Sequence, residues 1–230
     1  MKSGAHVLLS INGGYVDTAG FLALQGLFTA HVTGHFVMVC AALVFGTSGV
    51  VAKLLAFPVF CVMVALTRIL GHALVKRPVI RRSALLGVQF VLLLAACVLA
   101  IWVGPFSNGD SAPAIVVGMV LVSGMAIQNA MHQVHFVGFS PTTVMTGNTT
   151  QLMLDVTDLL WLPSDRAERA AERQRLQRIA AGVGCFAFGS GIAALLFWLA
   201  GMWCFGLPPV LVLAALAVSA RDGSVVGPSD

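Results

Sequence analysis

Long apolar runs alternate along the chain with short polar interruptions. The runs cover about 7–28, 52–75, 84–104, 113–135, 179–200 and 203–220. A hydrocarbon core about 30 Å thick needs roughly 20 apolar residues per helix, so each run predicts a span. Two shorter stretches, 36–50 and 144–160, sit beside polar interruptions. The first interruption reads Thr29-Ala30-His31-Val32-Thr33-Gly34-His35, and the second is Ser140-Pro141-Thr142-Thr143-Val144-Met145-Thr146-Gly147-Asn148-Thr149. Pro141 helps to enforce the second, because it removes a backbone donor and clashes with the preceding turn. Residues 164–178, SDRAERAAERQRLQR, form the strongly polar segment. With alanines between the charges and Asp165 and Glu168 at its front, it predicts an exposed helix.

The interruptions share a spacing. Asp17 and Gly26 are nine apart, as are Asn129 and Gly138, and one inserted residue then brings Thr33-Gly34 onto Thr146-Gly147. This predicts two copies of one unit, 1–110 and 111–230, within one integral membrane domain. Each copy holds a span, a break and two further spans. Basic clusters mark the cytoplasmic side. The cluster at 76–82 and the segment 164–178 fall on one side if 36–50 and 144–160 are short or re-entrant rather than full spans. The fold class is then all-α and polytopic, with about six full spans, two short broken-helix elements, two inverted repeats and both termini cytoplasmic. Inverted repeats with broken helices near mid-membrane are common in transporters. The alternative is two parallel four-span halves that break the charge rule.

Composition narrows the class. With 58% hydrophobic and 10% charged residues and a mean hydropathy of +0.94, the chain lies outside the soluble range. The start lacks a secretory pattern, since Val7-Leu8-Leu9 is cut at once by Ser10, Asn12, Gly13 and Gly14, so the N-terminus is expected to be retained. The five cysteines are scattered in apolar runs without a CxxC, which argues against a disulfide framework or a zinc knuckle. The net charge of +4 reads as a topology signal. No basic and aromatic stripe suggests nucleic acid, and no phosphate loop or other cofactor motif is present. The expected partners are the lipid bilayer and a small solute, and the many glycines also suit a homodimer.

Asp17 is the sharpest candidate. A carboxylate in mid-span costs several kcal/mol unless it meets a partner or a wet cavity. It is a candidate proton carrier, or a structural carboxylate bonded to helix ends or to Arg68. Gly13, Gly14 and Gly20 nearby permit close backbone approach. Irregular backbone at membrane depth survives only under a cover of protein or water, so the breaks are expected to face each other or a cavity. Hydroxyls and free N–H groups at a helix restart suit an anion or a polar solute, and equally simple capping. The solute-binding set is therefore Asp17, Gln25, Thr33, Gly34, His35, Asn129, Ser140, Thr142, Thr143, Thr146, Gly147 and Asn148. His31 with His35, and His132 with His135, have helical spacing for a metal, with a carboxylate such as Asp17 to complete the set, and the two-histidine spacing alone is a weak signal. Asp155 is expected to be embedded and paired, Arg68 being one candidate partner, and Asp158 to be interfacial. Gly138-Phe139-Ser140-Pro141 is not a nucleophile elbow, and no catalytic residue is expected.

At both motifs the chain resembles the YoaK-like family of uncharacterised bacterial inner-membrane proteins. The resemblance rests on Gly14-Tyr15-Val16-Asp17-Thr18-Ala19-Gly20-Phe21-Leu22-Ala23-Leu24, Thr33-Gly34, Gln128-Asn129-Ala130 and Ser140 to Asn148. The family typically has Thr-Gly-Asn at the first break, where this chain has His35. The resemblance implies a polytopic protein of about six spans in a bacterial inner membrane, and brings no substrate. The functional expectation is a transporter or channel for a small polar or anionic solute, coupled to protons through Asp17. The alternatives are a non-transporting assembly or sensing protein and a divalent metal-ion transporter.

Overall fold

The computed structural model describes residues 2–73, 78–135, 141–143, 145–161 and 165–224, and among these it is helical without strands. The helices are α1 (Lys2–Ala23), α2 (Val32–Phe45), α3 (Val50–Ala73), α4 (Pro78–Val103), α5 (Ala112–His135), α6 (Met145–Trp161), α7 (Arg166–Ala200) and α8 (Leu207–Ser224). A 3-10 turn, Gly201–Gly206, joins the last two. Among the described residues, four stretches are long and apolar enough to cross a membrane: Val50–Gly71, Arg82–Val103, Ala112–Gln133, and Glu168–Arg221 running through α7, the 3-10 turn and α8. The chain thus has the build of a multi-pass membrane protein.

α1 is absent from that set because its middle is polar, and its surroundings explain why. It runs along α7 and α8 and also touches α5. Ser10, Asn12 and Asp17 are buried there. A helix wrapped by protein can carry polar side chains that pair, whereas a lipid-facing one cannot. The outer faces of α3 and α4 show the converse, presenting Val62, Ile69, Val91, Val98 and Trp102 outward.

Lipid tails are as apolar as leucine, so helices in a membrane are held by close packing and hydrogen bonds rather than by a hydrophobic drive. The α1–α7 crossing is built this way. A Cβ on Gly14 would lie 2.0 Å from the Phe186 carbonyl oxygen, and one on Gly189 would lie 2.1 Å from that of Ile11. The Ser190 hydroxyl donates to the Gly14 carbonyl at 3.2 Å. Tyr15 donates to the Cys204 carbonyl at 2.6 Å, which fixes α1 to the 3-10 turn. The remaining pairings place α3 along α5, α4 along α5 and α8, α2 on α3, and α6 on α7. Arg82 donates to the Ser219 carbonyl at 2.9 Å across α4 and α8.

Two boundaries differ from the sequence reading. The polar segment from Arg166 to Arg178 and the span from 179 form one continuous helix, α7, because Ile179-Ala180-Ala181 contains no breaker. At 1.5 Å per residue its 35 residues reach about 52 Å, well beyond a core of about 30 Å, so the polar half extends past the apolar zone. Asp165 and Glu168 cap its start reciprocally, with N–H bonds of 2.8 and 3.2 Å. The second difference lies at the first break. α1 stops at Ala23, five residues before the expected end, and Gln25 and Gly26 take left-handed φ values of 53° and 84°. α2 then begins at Val32, so Thr33-Gly34-His35 fall inside its first turn.

The tight crossing makes a prediction with an internal control. Gly14→Ala and Gly189→Ala should each lower the thermal midpoint in detergent, at a cost of about 1–3 kcal/mol for the overpacking. Gly184→Ala and Gly191→Ala, whose added methyls meet nothing within 4 Å, should leave it unchanged or slightly raised.

Candidate functional site: the two clasped helix breaks

Beyond Ala23 the chain turns back along α1 and does not continue outward. Residues 29–31 lie beside Asp17, almost two turns before the end of that helix. One Asp17 oxygen accepts the Thr29 N–H at 2.7 Å, the Ala30 N–H at 3.0 Å and the Thr29 hydroxyl at 3.2 Å. The other pairs with His31 Nδ1. Gly20 makes room for the return, since a Cβ there would lie 2.8 Å from the Thr29 methyl. Asp17 is 4% exposed and Thr29 1%. The carboxylate thus satisfies backbone donors that the broken helix leaves open, and it does not pair with Arg68, which is exposed on α3.

The second break is clasped in a related way. The Thr143 hydroxyl donates to Asn129 Oδ1 at 2.5 Å, and the Asn129 amide donates back to the Met125 carbonyl at 3.2 Å. Asn148, buried in the first turn of α6, donates to the Pro141 carbonyl at 2.8 Å. This connector also presses on α1, where a Cβ on Gly13 would lie 2.7 Å from the Thr142 carbonyl oxygen. The two connectors therefore meet α1 at Gly13 and Asp17, about 6 Å apart along its axis.

Between α1, α4, α5 and the second connector lies a network of buried carboxamides. Gln128 Oε1 accepts from Asn12 Nδ2 at 2.9 Å and from Gln89 Nε2 at 2.8 Å. Its own amide donates to the Leu9 carbonyl at 2.8 Å and to the Thr142 hydroxyl at 3.2 Å. Asn12, Gln89 and Gln128 are each fully buried. The sequence reading gave Asn12 and Gln89 no role. A lone amide in an otherwise apolar span is the signal that marks them.

A second unread cluster caps the opposite end. Asp110, in the α4–α5 connection, accepts the N–H groups of Gly49, Val50, Val51 and Ala52 at 2.8–3.3 Å and so caps α3 from outside its own segment. The buried Lys53 ammonium donates to the carbonyls of Gln25 and Ser48 at 2.8 and 3.3 Å. Burial raises the Asp110 carboxyl, but the four N–H donors outweigh it and hold the group below the ordinary carboxylate range.

The residues singled out from the sequence thus divide. Asp17, Asn129, Thr142, Thr143 and Asn148 are gathered at the two clasps. His35 is buried, with its ring against Phe28 at a centroid distance of 6.2 Å. Gln25 belongs to the cap, donating to the Phe106 carbonyl at 3.1 Å. Thr33, Thr146 and Gly147 are exposed on the first turns of α2 and α6, and Gly34 is half-buried. Ser140 and the side chain of His135 lie outside the described residues. His132 packs against His6 at 5.6 Å between ring centroids, while His31 is held by Asp17. Among the described residues no three potential ligands group for a metal. Asp155 is paired with Arg175 and Gln151 rather than Arg68. Surface grooves line the polar half of α7, around Arg169, Arg173, Gln174 and Gln177.

Two stability outcomes follow. Asp17→Ala strips partners from buried donors and should cost on the order of 3 kcal/mol, whereas Asp17→Asn keeps an acceptor for Thr29 and Ala30 and should cost about 1. Unfolding midpoints of both variants check this. Asp110→Ala should cost about 1 kcal/mol at neutral pH. Because the native carboxyl is depressed, its contribution is present above the unfolded value near 4 and fades as pH falls through the lower native one. The gap in thermal midpoint between wild type and Asp110→Ala should therefore close under acid conditions.

Neither a curated protein nor a solved structure matches the chain. Residues 5–218 match the family described as protein of unknown function (DUF1275), and the chain belongs to that family.

Proposed function

We propose that the protein is a membrane transporter or channel for a small polar solute, with the two clasped connectors as its moving parts. One observation carries the reading. Residues 29–31 of the first break and 141–143 of the second meet adjacent turns of a single buried helix, each held by the side chain that stands nine residues before a glycine in the repeated spacing. Irregular backbone held deep inside a helical bundle by a few polar bonds can switch between two arrangements at small cost.

The neighbour pattern supports an inverted repeat of 1–110 and 111–230. α1 lies on α7 and α8 as α5 lies on α3 and α4, while α2 on α3 matches α6 on α7. Six crossings fit this arrangement, with α1 as the protein-enclosed one and the α7–α8 stretch divided at Gly201, which takes a φ of 56°. α2, with 14 residues and about 21 Å, is too short to cross alone. With basic residues at the start of α4 and along the first half of α7, both termini belong on the cytoplasmic side. We place the protein in a bacterial inner membrane and assign it no catalytic step.

The Asp17–His31 pair is the coupling element in this reading. His31 remains 34% exposed in its side chain while Asp17 is enclosed, so a proton has a route to the pair. Protonation of the carboxylate weakens its hold on Thr29 and Ala30 and frees the first connector. A second reading rests on the same bonds. Asp17, Asn129, Thr143 and Asn148 are all partnered within the protein, as expected of a sensing or assembly protein whose breaks are simply locked.

Uptake into proteoliposomes under an imposed pH gradient separates the two. Wild type should accumulate solute only with the gradient. Asp17→Asn should keep the fold, lose the gradient dependence and slow uptake by about tenfold or more. Wild-type protein that is folded but moves none of a panel of amines, amides, sugars and anions would support the locked reading instead.

A further inference from the structure

The carboxamide network has a fixed polarity. The Leu9 carbonyl can only accept, so the Gln128 group facing it is the amide nitrogen. Gln128 Oε1 then faces Asn12 and Gln89, and each of these must present its own nitrogen to it. All four bonding positions of Gln128 are thereby used. The orientation chain leaves two oxygens over, Asn12 Oδ1 and Gln89 Oε1, both buried and without a hydrogen-bond partner in the protein. Turning either amide over would set oxygen against oxygen, so the excess of acceptors follows from the Leu9 carbonyl and is not a matter of assignment.

A buried acceptor without a donor is destabilising, and this network carries two on neighbouring side chains. Such a pair suits a ligand that brings donors. Two unpaired carbonyl-type oxygens stand against one spare N–H, the second of Gln89 Nε2, so acceptors outnumber donors and the site disfavours an anion. Resting on the transport reading, we infer that Asn12, Gln89 and Gln128 form the solute site, and that its ligand is a small N–H donor, an ammonium ion or a small amine or amide, and not an anion. The site also touches the second connector, because the Thr142 hydroxyl accepts from Gln128. Displacement of residues 141–143 frees one Gln128 donor while the two oxygens stay in place. Occupancy of the site and the position of that connector are thus linked through a single side chain.

Binding is measured on purified wild-type protein with methylammonium, urea and nitrate as probes, by saturation-transfer NMR and by shift of the thermal midpoint. Methylammonium or urea should bind and nitrate should not, and comparison of the first two tells a cationic from a neutral donor. Gln89→Met keeps the length of the side chain and removes one orphan oxygen, and should weaken donor binding by about tenfold. The wild-type selectivity stands as a test even where that variant fails to fold. Nitrate binding in preference to both donors, binding of none of the three, or donor binding unchanged in folded Gln89→Met overturns the assignment. Donor binding without any flux upholds the site and removes the transport reading. Flux of anions indifferent to Gln89→Met does the reverse.

Discussion

A buried carboxylate that closes the end of a broken helix is the constraint on which the structure turns. Asp17 holds the N–H groups of Thr29 and Ala30 and the ring of His31. Without those bonds the connector after α1 would carry open backbone donors into a region with little water to satisfy them, at about 1–3 kcal/mol for each group. The rest of α1 follows from the same constraint. To bring a carboxylate to this depth the helix must be wrapped by protein, and the wrapping depends on Gly14 and Gly189, where α1 and α7 meet backbone to backbone. A helix so enclosed is free to be polar elsewhere, and Asn12 and Tyr15 use that freedom to bind α5 and the 3-10 turn.

The two breaks share a principle but differ in charge. Asp17 meets backbone donors and a histidine, whereas Asn129 meets a threonine hydroxyl and returns a donor to its own helix. A carboxylate can be released by a proton and an amide cannot. In the proposed reading the halves are copies of one unit that share the clasp and differ in its chemistry, a carboxylate at one connector and an amide tied to the carboxamide network at the other. That division suits a protein that must open toward one side of a membrane at a time.

Much of the helical layout was legible in the chain. The ends of α4 and α5 fall where Gly104-Pro105 and Ser107-Asn108-Gly109-Asp110 place them, and the long apolar runs set α3 and α8. The first break was misplaced because its local signal is quiet. Gln25 adopts a left-handed φ that its residue type does not announce, while Thr33-Gly34, the louder motif, merely opens α2. The fusion of the polar segment from Arg166 to Arg178 with the following span was hidden because a change of polarity resembles a boundary even where the backbone has no reason to stop. Asp17 was legible as an outlier, but its partners were not, since a carboxylate in an apolar run says that something must satisfy it and not what. The carboxamide network lay further out of reach. Asn12, Gln89 and Gln128 stand on three helices, and only the packing of α1 and α4 on α5 brings them to one point.

The central claim is that the clasped connectors are moving parts and not fixed locks. Hydrogen–deuterium exchange of the reconstituted protein tests it at the bonds concerned, in peptides covering residues 24–31 and 141–149 compared with the middle of α1. The account predicts that both connectors exchange well ahead of α1, and that lowering the pH speeds the first, after correction for intrinsic rates, but not the second. Protection of both connectors equal to that of α1 at every pH would contradict it, and would leave Asp17 as a structural rivet.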